Sequence, residues 1–175
     1  MESDRTFVVM IDMQERLAPR IEGIKEIVDN SKKLLKASKI FGIPIIATEQ
    51  IKLGETIPEL RIFPDFTIKK THFSCMREKS FLEVVENIGK EKCILLGIET
   101  HICILQTAMD MIEDFEVYVA VDCTGSRRRF DKEVALQRMS SRGVVLTTAE
   151  TAIYELLESA ENEKFREILS IVKGE

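Results

Sequence analysis

Short apolar runs alternate with longer amphipathic stretches from one end of the chain to the other. Phe7–Ile11, Ile43–Ala47, Cys93–Leu96, Val117–Val121 and Val144–Leu146 are mostly β-branched or otherwise apolar, as buried parallel strands are. A weaker strand candidate, Phe66–Ile68, precedes Lys69. Between the runs, apolar residues recur at helical spacing. Ile24, Ile27, Val28, Leu34, Leu35 and Ala37 lead to Ile40, and Gly42 stops that helix before Pro44. Similar patterns cover Phe81–Ile88, Ile102–Ile112, Lys132–Met139, Thr151–Leu157 and Phe165–Val172. The β-α alternation predicts an α/β fold, with a parallel sheet covered by helices on both faces through right-handed crossovers. Ile51–Asp65, with Gly54, Pro58 and Pro64, breaks the rhythm and reads as a long surface excursion, a lid or an interface arm. With no linker or repeat in view, residues 1–175 read as a single domain.

Composition narrows the partners. The 175 residues are 45% hydrophobic and 31% charged, the balance of a globular protein. A net charge of −5 argues against nucleic acid, since phosphate binding needs a basic surface. The apolar run after Met1–Arg5 is too short for a signal peptide or a membrane span, so the expected setting is cytoplasmic, with no membrane partner. Cys75, Cys93, Cys103 and Cys123 form no CxxC pair and no metal-type spacing with histidine, so free thiols are expected.

Ligands of open α/β sheets bind beyond the carboxyl ends of the strands. Here those positions hold Asp12, Thr48-Glu49-Gln50, Lys70-Thr71-His72, Glu99-Thr100-His101-Ile102-Cys103, Asp122 and Thr147-Thr148. Neither GxGxxG after the first strand nor GxxxxGK[ST] occurs, which disfavours a dinucleotide or nucleoside triphosphate. Cys103 follows a strand, and with Thr100 as N-cap it falls in the first turn of a helix. There the free N–H groups and the helix dipole favour a thiolate and a developing oxyanion. A small buried hydrophobe is the competing reading. Asp12 has the position of a proton acceptor or of a loop cap. Lys70 has that of a cation between carboxylate and thiol, or of a solvated strand end like Lys69.

Three segments in combination resemble the isochorismatase-like cysteine hydrolase superfamily. They are Val8-Val9-Met10-Ile11-Asp12-Met13-Gln14, Lys70-Thr71-His72-Phe73-Ser74 and Gly97-Ile98-Glu99-Thr100-His101-Ile102-Cys103. The resemblance runs from Phe7 to about Val172 and is nearest to the compact isochorismatase-domain-containing type. It implies a three-layer α/β/α sandwich, Rossmann-like, around a six-stranded parallel sheet. It also implies Cys103 as nucleophile, Asp12 as general base and Lys70 as electrostatic partner. A non-proline cis peptide at Ile98–Glu99 follows from it, bringing the N–H groups of Glu99 and Cys103 together as an oxyanion hole. Gln14, Gln50 and His72 are further candidates for substrate contact. The implied reaction cleaves an amide-like C–N bond of a small molecule through a thioester. Family habit implies a homo-oligomer, dimer or larger.

Departures within the superfamily sharpen this. Isochorismatases do not need the cysteine, so Cys103 points away from isochorismate. Nicotinamidases hold a metal with an Asp-x-His pattern between the first strand and the lysine; neither His72 nor His101 lies there, so no metal and no cofactor is expected. Arg127–Arg129 read first as a solvated loop face and otherwise as meeting a substrate carboxylate or a partner subunit, His101 as an exposed N1 residue, and Asp122 as ordering its own loop. Cys75 is placed at the pocket rim, and Cys93 and Cys123 in the core. The rival class is a silent binding or scaffold protein on the same fold, with a thiol redox protein behind it.

Overall fold

The computed structural model describes residues 1–174. Six parallel strands form one sheet in the order β3-β2-β1-β4-β5-β6: β1 (Thr6–Ile11), β2 (Ile45–Gln50), β3 (Phe66–Lys70), β4 (Lys92–Ile98), β5 (Glu116–Gly125) and β6 (Val145–Thr147). β1 lies inside the sheet and all six of its residues are buried, which is why its sequence is a continuous apolar run. Alternation along the strands divides the core into two layers. Val8, Met10, Ile45, Ala47, Ile94 and Leu96 face α1 (Ile24–Phe41), α5 (Ala149–Leu157) and α6 (Phe165–Lys173). Phe7, Val9, Ile11, Ile46, Cys93 and Leu95 face α2 (Lys79–Ile88), α3 (Leu105–Met111) and α4 (Arg129–Ser140). The architecture is the expected α/β sandwich.

Gly42 ends α1 as expected, in the left-handed region at φ 69°, with its N–H on the carbonyls of Ser38 and Lys39. Several boundaries and one loop differ from the sequence reading. β2 starts after Pro44, and the Pro44 carbonyl accepts the Val8 N–H at 2.9 Å. β5 continues through Gly125 past a register shift against β4. The polar first turn of α4 begins at Arg129 instead of Lys132. The excursion 51–65 is pinned down and is no free arm: Ile57, Leu60 and Phe63 enter the core, and Thr56 pairs with Gln14 in an antiparallel bridge.

Among the described residues, no helix is long and apolar enough to cross a membrane.

Candidate active site

Parallel register brings the polar strand ends together. Ile11 pairs with Thr48 of β2 and with Gly97 of β4, so Asp12 emerges between those two strand ends. Gly97 is required there: its φ is 122°, and a Cβ would stand 2.0 Å from the Ile11 carbonyl oxygen. The next peptide, Ile98–Glu99, is cis. Glu99 then opens a single π-helical turn, Thr100–Ile104, whose Ile104 N–H reaches the Glu99 carbonyl at 3.3 Å. Cys103 therefore sits in a π turn ahead of α3 and not in the first turn of an α-helix. Thr100 is not its cap: its hydroxyl is buried with no hydrogen-bond partner among the described residues.

Lys70 lies at the last position of β3, on the same side as buried Ile68, and is only 1% exposed. Its ammonium stands 2.7 Å from Asp12 Oδ2 and 3.6 Å from Cys103 Sγ. It also donates to Gln50 Oε1 at 2.6 Å and to the carbonyls of His72 and Phe73 at 3.2 Å. The Thr48 hydroxyl donates to Asp12 Oδ1 at 2.8 Å. Asp12, Lys70 and Cys103 thus meet at one point on the carboxyl edge of the sheet.

Electrostatics corrects one expectation. Burial is the largest influence on the Cys103 thiol and the Asp12 charge the next; both raise its pKa, and Lys70 only partly offsets them. The resting site therefore holds a neutral thiol, not a ready thiolate. Burial also raises the Asp12 pKa, against the pull of Lys70. For Lys70, burial acts downward, but Asp12 and then Cys103 raise its pKa above the ordinary value. Lys70 stays charged, and it stands closer to the carboxylate than to the sulfur.

Asp12 and Cys103 open into a cavity of about 440 Å³ lined also by Gln50 and Glu99, the apolar Leu17, Leu53, Phe73 and Ile102, and the cations Arg16, Arg20, Lys52 and Arg127. Gln14 and His72 do not line it. The Gln14 amide is occupied with the Gln50 N–H and carbonyl and with the Gly54 carbonyl, so it braces the two loops. His72 turns outward, 54% exposed, with Nδ1 2.9 Å from Glu78. Glu78 also accepts from the N–H groups of Thr71 and His72, first among the contacts that hold its carboxyl down at about 2. It thereby fixes the loop whose carbonyls face Lys70.

Other side chains also depart from the sequence reading. Arg127 is a pocket residue: its guanidinium and its N–H bind the Glu99 carboxylate at 2.9–3.1 Å. Asp122 accepts the Ala149 N–H at the start of α5, while Ser126 bonds His101 Nδ1 at 2.9 Å. Cys75 is buried away from the rim, its sulfur 4.0 Å from the Thr48 hydroxyl, and burial pushes its pKa up to about 11. Arg16, Arg20, Lys52 and Glu78 had no role in the sequence reading, and Thr48 stood there only among the strand-end positions. Strand register alone signals Thr48; the others need the fold.

Among the described residues, no cluster of His, Cys, Asp and Glu is arranged to hold a metal ion.

A family model described as the isochorismatase domain matches residues 6–151. Isochorismatase domain-containing protein 1 of Danio rerio is 37% identical over 166 residues, covering 93% of this chain and 59% of that relative's own length. A structure described as the MAR1 ribonuclease of Caenorhabditis elegans has a TM-score of 0.92 at 33% identity, covering 99% of this chain and 92% of that one. The Escherichia coli YcaC gene product, described as an octameric hydrolase of unknown specificity, shares the fold at TM-score 0.86 and 21% identity, over 99% of this chain and 96% of that one. On the family match and the level of identity, the chain belongs to the isochorismatase family.

Proposed function

We propose that the protein is a cysteine-dependent hydrolase that cleaves an amide-like C–N bond of a small molecule through a thioester on Cys103. The observation that carries this reading is the convergence of Asp12 Oδ2, Lys70 Nζ and Cys103 Sγ at one point, with Asp12 and Cys103 lining an open cavity and Lys70 buried behind them. The raised thiol pKa defines the order of events. Asp12 takes the thiol proton as sulfur attacks the carbonyl carbon, and Lys70 stabilises the anion at whichever of the two atoms carries it. The carbonyl oxygen becomes an oxyanion beside the backbone N–H groups of Glu99 and Cys103. The adduct collapses: the C–N bond breaks, the nitrogen takes the proton from Asp12, and the acyl group stays on sulfur. Asp12 then takes a proton from water as the hydroxide adds to the thioester, and the acid leaves with the thiol restored.

Access favours this reading over a silent scaffold, because Asp12 and Cys103 both line the cavity. All four cysteines are free thiols, as a reducing cytoplasmic setting would keep them, and no redox pair is formed. RNA cleavage, the activity in the name of the Caenorhabditis elegans structure, calls for an acid and a base flanking a phosphodiester. Both histidines of this chain lie outside the cavity lining, and the net charge is −5. The test is intact-protein mass spectrometry after incubation with small amides. The expected result is an acyl adduct on Cys103 in the parent and none in Cys103→Ala; turnover by Cys103→Ala at the parent's rate would exclude the thioester.

A further inference from the structure

The mouth of the cavity carries charge that the proposed chemistry does not use. Four cations, Arg16, Arg20, Lys52 and Arg127, stand in its lining against two carboxylates, Asp12 and Glu99. Both carboxylates are already matched, Asp12 by Lys70 and Glu99 by Arg127. Of the acids beside Arg16 and Lys52, Glu15 and Glu55 both pair with Arg61, and Glu49 accepts from the N–H and hydroxyl of Thr56. Arg16 binds only a neutral partner, the Lys52 carbonyl, at 3.0 Å. The Arg20 and Lys52 side chains have no partner among the described residues. Three unmatched cations thus gather at one opening of a chain whose net charge is −5.

Their setting is built and not incidental. Arg20 ends a short 3-10 helix, Ala18–Arg20, that follows the Asp12 loop. The Arg16–Lys52 bond ties that loop to the turn after β2, where Lys52 takes a left-handed backbone at φ 71°. Leu17 and Leu53 sit between the cations and give the opening apolar walls, which strengthen the attraction for an anion by excluding water.

Resting on the thioester reading, the geometry points to a substrate that is a small amide carrying a second, anionic group. That group is an oxyanion, carboxylate or phosphate, held by Arg16, Arg20 and Lys52 while the amide carbonyl meets Cys103. Guanidinium forks suit either anion.

The test uses two alkylating reagents of nearly equal size, neutral iodoacetamide and anionic iodoacetate, on the folded full chain, with the labelled cysteine identified by peptide mass spectrometry. The rate ratio of iodoacetate to iodoacetamide at Cys103 is expected to exceed that of glutathione at the same pH by about tenfold at low salt. The excess should shrink as salt is raised. Arg20→Ala and Arg16→Ala should each lower the iodoacetate rate more than the iodoacetamide rate; Arg142→Ala, beyond the amino end of β6, should leave the ratio alone. Protection by succinate over inorganic phosphate would identify a carboxylate, and the reverse order a phosphate. A ratio equal to glutathione's and unmoved by either substitution would overturn the anion site while leaving Cys103 as nucleophile. Failure of both reagents to reach Cys103 until the protein is unfolded would overturn the thioester reading, and this inference with it.

Discussion

Lys70 shows how one buried side chain can set the chemistry of its neighbours. Its ammonium has five neighbours in Asp12, Gln50, Cys103 and the carbonyls of His72 and Phe73, so neither its position nor its charge is free to change. Because burial and the Asp12 charge raise the Cys103 pKa, alkylation of Cys103 should climb steadily with pH and show no plateau below pH 9 or so. The signs for variants follow from the same influences. Asp12→Asn removes a negative neighbour, so the thiol pKa falls and alkylation at pH 7.5 or so quickens, by about tenfold for each pKa unit gained. Lys70→Met removes the one strong influence that lowers the thiol pKa, and alkylation slows. A plateau near neutral pH in the parent would show that Lys70 outweighs burial and Asp12. Position marks each of the three residues with a rival reading beside it, the resemblance of their segments joins them, and neither reveals the protonation state. A helix N-terminus and a lysine argue for a thiolate, whereas burial of the sulfur itself, and next the Asp12 charge beside it, decide against one. Lys70 itself could be separated from Lys69 by strand alternation, since Ile68 and Lys70 share the buried face and Lys69 does not.

At the scale of elements, the site depends on the junction between β4 and α3. Sequence periodicity finds both elements and misses what joins them, because a single π turn has no repeat and its i→i+5 bond leaves no pattern in residue type. Continuous apolar runs mark β1 and β4, whereas the apolar pattern ends before β5 does because its last residues, Asp122–Gly125, are mixed in polarity. Gly97 is the residue on which the junction turns. A methyl group there would meet the Ile11 carbonyl at 2.0 Å on a backbone that side chains rarely adopt. β1 and β4 would have to part just where Asp12 and Glu99 leave the sheet. Gly97→Ala should therefore cost at least about 2–3 kcal/mol, from strain and overpacking together, as a lowered urea midpoint with unchanged slope. Activity should fall even in the fraction that stays folded, because Asp12 is displaced from Cys103. Gly89→Ala is the control: it shares a positive φ, but the nearest atom is 3.8 Å away, so only the backbone cost should appear. Equal loss from both substitutions would mean that the close approach to Ile11 adds nothing.

For the whole molecule, the sheet closes the core on both faces but leaves its β6 edge open, and that edge carries apolar surface. Phe130, 73% exposed, and Val134 lie one turn apart on α4, which packs beside β6, and Val145 and Leu146 of β6 are exposed as well. Exposed apolar side chains on these two neighbouring elements are costly to leave in water, and a second copy of the same face would cover them. The expected assembly is a homo-oligomer with α4 and β6 in its interface. A two-fold interface uses the same patch twice, so Phe130 would be buried in both copies. At about 1.5–3 kcal/mol for each buried ring, Phe130→Asp should remove about 3–6 kcal/mol. The dissociation constant would then rise by about two to four powers of ten, enough to shift a micromolar sample to monomer. Light scattering across a dilution series measures this directly, with the parent expected above the 20.0 kDa of a single chain and the variant at it. Far-ultraviolet circular dichroism shows whether the variant keeps its fold, as an exposed position should allow. A parent that runs as a monomer at every concentration would remove the interface. A parent oligomer that survives Phe130→Asp unchanged would move it to another face.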